Sequence, residues 1–188
     1  MRATREAGLT LVELMVVLAI VGILAAVAIP TYLGSRNHTS NTATLATLVR
    51  AENRANLLWD NAGQRYFVTP ATAKSYAAAL SAVRPTRSMT FVGRSPSTGP
   101  TAISSWRSPG GSVAGARQPS TLELSLLAPS GTCFHVVLSP SVGSTTAAAL
   151  HLPGPGTWWT ATKGSSCEAI TSLVNGAWSA HYYSIAGG

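Results

Sequence analysis

Apolar and polar positions divide the chain into three regimes. From Leu9 to Ile29 it reads LTLVELMVVLAIVGILAAVAI, a run whose only polar side chains are Thr10 and Glu13. At ~1.5 Å per residue such a run makes roughly 31 Å of helix, the thickness of a bilayer's hydrocarbon core. After Pro30 the pattern turns amphipathic: Leu45, Leu48, Val49, Glu52, Ala55 and Trp59 recur at steps of three and four. One face of a continuing helix can therefore pack on a globular partner. This helix is predicted to reach about Leu58, with Asn61-Ala62-Gly63 as its stop signal and the Ser-, Asn- and Thr-rich stretch Ser35 to Thr44 as its weakest part. Beyond it the pattern is strand and loop. Leu122 to Leu127 and Cys133 to Leu138 read as a hairpin with a five-residue connection, and Met89 to Val92, Ala147 to Leu152 and Trp158 to Thr162 are weaker strands. Between Gly93 and Ser120, 16 of 28 residues are Gly, Pro or Ser, which predicts a surface excursion outside the core. The elements together give an α+β chain with a long N-terminal helix against an antiparallel sheet.

Composition narrows the chemistry. With 188 residues, 46% hydrophobic and only 10% charged, the chain is far from the disordered regime and long enough for one domain plus an appendage. The six carboxylates, Glu6, Glu13, Glu52, Asp60, Glu123 and Glu168, are scattered, which argues against a calcium loop or paired acid-base chemistry. His38, His135, His151 and His181 lack metal-ligand spacing, and no nucleophile, phosphate-loop or dinucleotide motif occurs. The expectation is a non-enzymatic protein without catalytic residues, metal or cofactor. The net charge of +7 is carried by 13 basic residues, 11 of them Arg, concentrated in the middle of the chain. Arg84, Arg87, Arg94, Arg107 and Arg117 can be read as a face for a polyanion such as DNA or acidic surface polysaccharide. They can equally be read as a solvated Arg-rich surface, which is the reading we favour.

The segment MRATREAG before the apolar run carries Arg2 and Arg5, so it belongs on the cytoplasmic side and sends everything after Pro30 outward. Three readings of the run remain. One is a secretory signal cut near Ala26-Val27-Ala28, and another is a plain uncleaved anchor. Neither gives a purpose to Glu13, since an ionised carboxylate in hydrocarbon is costly unless paired or functional. The third is cleavage after Gly8, which creates an amine at Leu9 four residues before Glu13 on the same helix face.

Gly8 followed by LTLVELMVVLAIVGILAAVAIPTY resembles the N-terminal signature of type IV pilins and pseudopilins. In that pattern a short charged leader ends in Gly, the fifth mature residue is Glu, and a Pro closes the long apolar helix. The first mature residue here is Leu9, where the family usually has Phe. The resemblance implies a pilin fold, cleavage between Gly8 and Leu9 by a prepilin peptidase, and methylation of the Leu9 amine. It implies an inner-membrane stage, with the subunit held in lipid as a single span and its head outside. An assembly platform then builds a homo-oligomeric helical filament on the cell surface, in which Glu13 meets the Leu9 amine of a neighbour. Gly22 and Pro30 would be helix weak points, where the stretch between them can unwind in the fibre. The implied organisation is leader 1–8, core helix 9–29, amphipathic continuation 30–60 and β-rich head 61–188. A minor pilin, or a pseudopilin of a type II secretion or competence system, shares this N-terminal logic. A membrane-anchored or secreted binding protein is the rival outside the family.

Two cysteines in an extracytoplasmic chain most simply form one disulfide, here Cys133 with Cys167, the alternative being two separate buried thiols. The bridge would be worth about 3.8 kcal/mol on the chain-entropy relation.

Overall fold

A computed structural model of the chain describes residues 10–61, 73–83, 89–108, 112–113, 116–117, 121–140, 150–164, 166–169 and 178–181. Two compact units are distinguished, Met1–Asn37 and His38–Gly188. The first helix, α1, spans Leu11–Asn61 and contains Pro30. Its end at Asn61 agrees with the predicted stop. The Ser- and Thr-rich stretch is helical too, and its hydroxyls are absorbed locally. Thr42 Oγ1, Thr44 Oγ1 and Thr47 Oγ1 donate to the carbonyls of His38, Ser40 and Ala43, four residues back. Thr31 Oγ1 does the same beside Pro30, reaching the carbonyls of Val27 and Ala28.

The second unit is built on a five-stranded sheet. Its strands are β1 (Thr90–Phe91), β2 (Ala102–Arg107), β5 (Leu122–Leu127), β6 (Thr132–Ser139) and β7 (Gly156–Lys163), in the order β1-β2-β5-β6-β7. All pairings are antiparallel except β1 with β2. A separate ribbon pairs β3 (Ser112–Val113) with β4 (Ala116–Arg117). A short helix, α2, spans Ala73–Ala82. Register fixes two faces. Leu124 lies opposite Val136, and Val136 opposite Trp159, so the Leu122, Leu124, Leu126, Phe134, Val136, Leu138 and Trp159 side chains share one face. That face joins Leu45, Leu48, Ala51 and Ala55 of α1, Ala77 and Leu80 of α2, Met89 and Ile103 in a single buried cluster. The three-and-four spacing of α1 therefore marks the residues that pack on the sheet. Asn41 adds a polar tie, accepting a hydrogen bond from Ser130 Oγ in the turn between β5 and β6.

The hairpin of β5 and β6 forms as predicted, with Leu127 opposite Cys133. β1 and β7 likewise fall on the predicted Met89–Val92 and Trp158–Thr162 segments. Two expectations are corrected. The stretch Gly93 to Ser120 is not a mere surface excursion: β2 lies within it, between β1 and β5, with Ile103, Ser104 and Ser105 buried. Ser104 serves there as a small core residue because its polar atoms find partners. Ser104 Oγ donates to the Gly93 carbonyl, and the Ser105 amide donates to the same oxygen. The second correction is Ala147 to Leu152. Its first three residues lie outside those described, and Leu150 to Leu152 is turn and coil, with His151 at φ 52°, a left-handed conformation that a strand does not use.

Cys133 and Cys167 are bonded and both fully buried, across a separation of 34 residues. The bridge fastens residues 166–169 onto the sheet face opposite the helix. Two serines reinforce it: the Ser97 amide donates to the Cys167 carbonyl, and Ser104 Oγ accepts from the Ala169 amide.

Candidate functional site: the N-terminal helix surface

The first unit is dominated by a helix whose apolar side chains have no partner. Leu11 to Leu33 is exposed nearly all round, with Leu11 at 73%, Ile23 at 69% and Tyr32 at 68% of full exposure. None of the most apolar stretch of α1 is buried within the molecule. A water-soluble fold does not leave such a surface bare, so the helix requires either lipid or further apolar helices around it. Length and composition allow it to cross a membrane.

At the start of α1 sits the one carboxylate of its apolar stretch. Thr10 immediately precedes α1 and Glu13 lies in its first turn. The Thr10 amide donates to Glu13 Oε2 at 2.9 Å, and the Glu13 amide donates back to Thr10 Oγ1 at 3.3 Å. This reciprocal pair is a capping box, which satisfies amides that the first helical turn otherwise leaves open. Gly22 is helical with open space around its Cα, and Pro30 is accommodated without ending the helix. Gly8 and Leu9 lie outside the described residues.

The proposed basic face is only partly visible. Arg94 is exposed and its guanidinium lies 6.0 Å from the centre of the Trp106 ring, a cation–π contact at the end of β2. Arg107 follows on the same strand and is half-buried. Arg84 and Arg87 lie outside the described residues, and the Arg117 backbone lies in β4 with its side chain undescribed. The structure thus brings Arg94 to an aromatic partner that sequence spacing does not pair it with.

A polar cluster that was not anticipated lies between β5, β6 and β7. His135 Nδ1 is 2.7 Å from Ser125 Oγ and 3.4 Å from Glu123 Oε1, and His135 Nε2 is 3.2 Å from Thr162 Oγ1. Glu123, Ser125 and His135 are buried on the face opposite the apolar core. Their alternation with leucines in LELSL is the signal for a polar sheet face. What it does not reveal is that this face is covered. Serine and glutamate approach the same ring nitrogen, so the imidazole does not stand between an acid and a nucleophile as in a hydrolase triad. Among the described residues no group of three or more His, Cys, Asp and Glu side chains is arranged to hold a metal.

A family model, the prokaryotic N-terminal methylation motif, matches residues 3–29. Over this N-terminal segment the match supports a likeness to type IV pilins and pseudopilins. The match takes in Gly8, Leu9, Thr10, Glu13 and Gly22 and ends one residue before Pro30. No solved structure matches the chain. The pilin-type motif and the bare apolar helix point to the same part of the molecule. The motif suggests a structural protein, and motif and helix together support membrane anchoring and a pilus-type surface localisation. The head contributes the fold: a long helix laid against a mostly antiparallel sheet, closed by a disulfide, which is consistent with a pilin.

Proposed function

We propose that the protein is a structural subunit of a type IV pilus. It enters the membrane as a prepilin with residues 1–8 as leader and its head outside. A prepilin peptidase cuts between Gly8 and Leu9, and the Leu9 amine is methylated. An assembly platform then transfers the helix from lipid into a filament of identical subunits, where residues 9–29 form the core. The observation that carries this reading is the fully exposed apolar surface of α1 within the stretch matched by the methylation motif. Lipid and a bundle of like helices are interchangeable environments for such a surface, which is what transfer from membrane to fibre requires. Glu13 gives the transfer its register. Buried among neighbouring helices, its carboxylate and the Leu9 amine of another subunit each need the other, because a lone charge in that core costs several kcal/mol, on the order of 3–5.

Electron microscopy of sheared cell-surface material, with antibodies to the head, tests this reading. Filaments labelled along their whole length are expected. Label confined to the cell envelope, with no labelled filaments, contradicts it.

A further inference from the structure

The bare surface of α1 runs past the end of its most apolar sequence and stops at a charge. Tyr32 and Leu33, beyond Pro30, are still 68% and 51% exposed. One turn after Tyr32, on the same helix face, stands Arg36, which is exposed and has no hydrogen bond or ion pair among the described residues. It is the first charged side chain after Glu13, with the 22 uncharged residues 14–35 between them. At ~1.5 Å per residue the two charges lie roughly 35 Å apart along the helix, slightly more than the ~30 Å hydrocarbon core of a bilayer. Two placements of the helix compete. With residues 9–29 in the hydrocarbon, Glu13 is submerged while Tyr32 and Leu33 stand above the lipid chains. With residues 14–33 there, the span is again ~30 Å and both charges emerge at the headgroup layers. The two cover equal lengths of helix, but only the second keeps an ionised carboxylate out of lipid.

We propose that Tyr32 and Arg36 form a lipid-headgroup site: the guanidinium takes the phosphate of an anionic phospholipid in the head-side leaflet, and the tyrosine ring fixes the depth of the helix at that surface. This rests on the membrane stage of the reading above. Arg36 lies ~4.5 Å beyond Leu33 along the helix, inside a headgroup layer about 5–7 Å deep on each side. Helical side chains lean toward the helix N-terminus, here toward the bilayer, so the guanidinium reaches back to the phosphates. Its planar fork matches two oxygens of a phosphate. On α1 the nearest carboxylate along the chain is Glu52, ~24 Å further on, too far to claim it. Tyrosine suits the boundary because its ring is apolar and its hydroxyl is not. A zwitterionic headgroup offers the same phosphate, but its own ammonium competes with Arg36, which makes the anionic lipid the partner.

The test uses the full chain, leader included, in vesicles holding either an anionic or a zwitterionic phospholipid that carries the same photoreactive group close to its headgroup. Crosslinks are mapped by peptide mass, so lipid drawn by Arg2 and Arg5 or by the basic head is counted separately. At residues 30–37 the anionic probe is expected to exceed the zwitterionic one about fivefold, the gain that one arginine near an anionic surface supplies. Arg36→Gln is expected to remove that preference, whereas Arg50→Gln, which removes another exposed arginine of α1, leaves it intact. Tyr32→Ala is expected to spread the crosslinks over a further turn of helix. A preference that survives Arg36→Gln overturns the proposal, as does one that falls equally in Arg50→Gln and so belongs to overall charge. Unchanged crosslink positions in Tyr32→Ala overturn the depth-setting role. A wild-type chain that alkaline washing strips from the vesicles overturns the membrane stage itself, so the two failures are distinct.

Discussion

Three glutamates show how environment assigns different tasks to one side chain. Glu13 caps the exposed helix and, in the proposed filament, meets a neighbour's amine. Glu13→Ala is therefore expected to abolish filaments while leaving the melting of the head unchanged, which calorimetry of the detergent-solubilised chain can check. Glu123 is buried against His135, and removing one member of a buried pair leaves the other uncompensated. Glu123→Ala is expected to destabilise the head by about 1–3 kcal/mol in chemical denaturation, because it removes a polar neighbour of the buried imidazole. Glu52, on α1 beyond the apolar stretch, is half-buried, and burial pushes its carboxyl above the ordinary range despite hydrogen bonds from Thr157 and Asn56. A carboxyl with a raised folded-state value binds its proton more tightly when folded. Its contribution is therefore present below the unfolded value of about 4.3 and lost as pH rises through the raised one. Relative to wild type, Glu52→Gln should gain thermal stability as pH is raised from 4 to 7; a gap that narrows with pH would contradict this assignment.

Among the elements, legibility followed period and length. α1 was readable from end to end because an all-apolar run and a three-and-four pattern are both long signals, and the structure ends it at Asn61, on the stop signal. The β5–β6 hairpin was readable from alternation on either side of a turn. β2 was not, because AISSWR holds only two large apolar residues inside a Gly-, Pro- and Ser-rich stretch, and its burial depends on hydroxyl partners distant in sequence. α2 was missed for a related reason: AKSYAAALSA is short and alanine-rich, and only its contact with Met89 and Ile103 in the core gives Ala77 and Leu80 a direction. The apolar face of β5 carries the packing, so Leu124→Ala is expected to cost 2–5 kcal/mol with little change in membrane insertion, measured by denaturation and membrane fractionation.

For the whole molecule, the hydrophobic 46% of the composition belongs to two different surfaces. One is the closed core of the second unit. The other is the open surface of α1 in the first, which has no buried partner. The methylation motif was legible in the sequence because leader, Gly8, Glu13 and the apolar run fall in register. The covered second face of the sheet was not, since it depends on where the disulfide lays residues 166–169. Replacing both cysteines by serine should therefore loosen the head, by about 2–5 kcal/mol on unfolding, without altering leader removal. The central claim is that the apolar helix begins at a peptidase-made N-terminus and serves as assembly surface. The intact mass of the mature protein recovered from cells tests it most directly. A chain starting at Leu9 with a methylated amine is the predicted result. A chain starting at Ile29, or one retaining Met1, contradicts it.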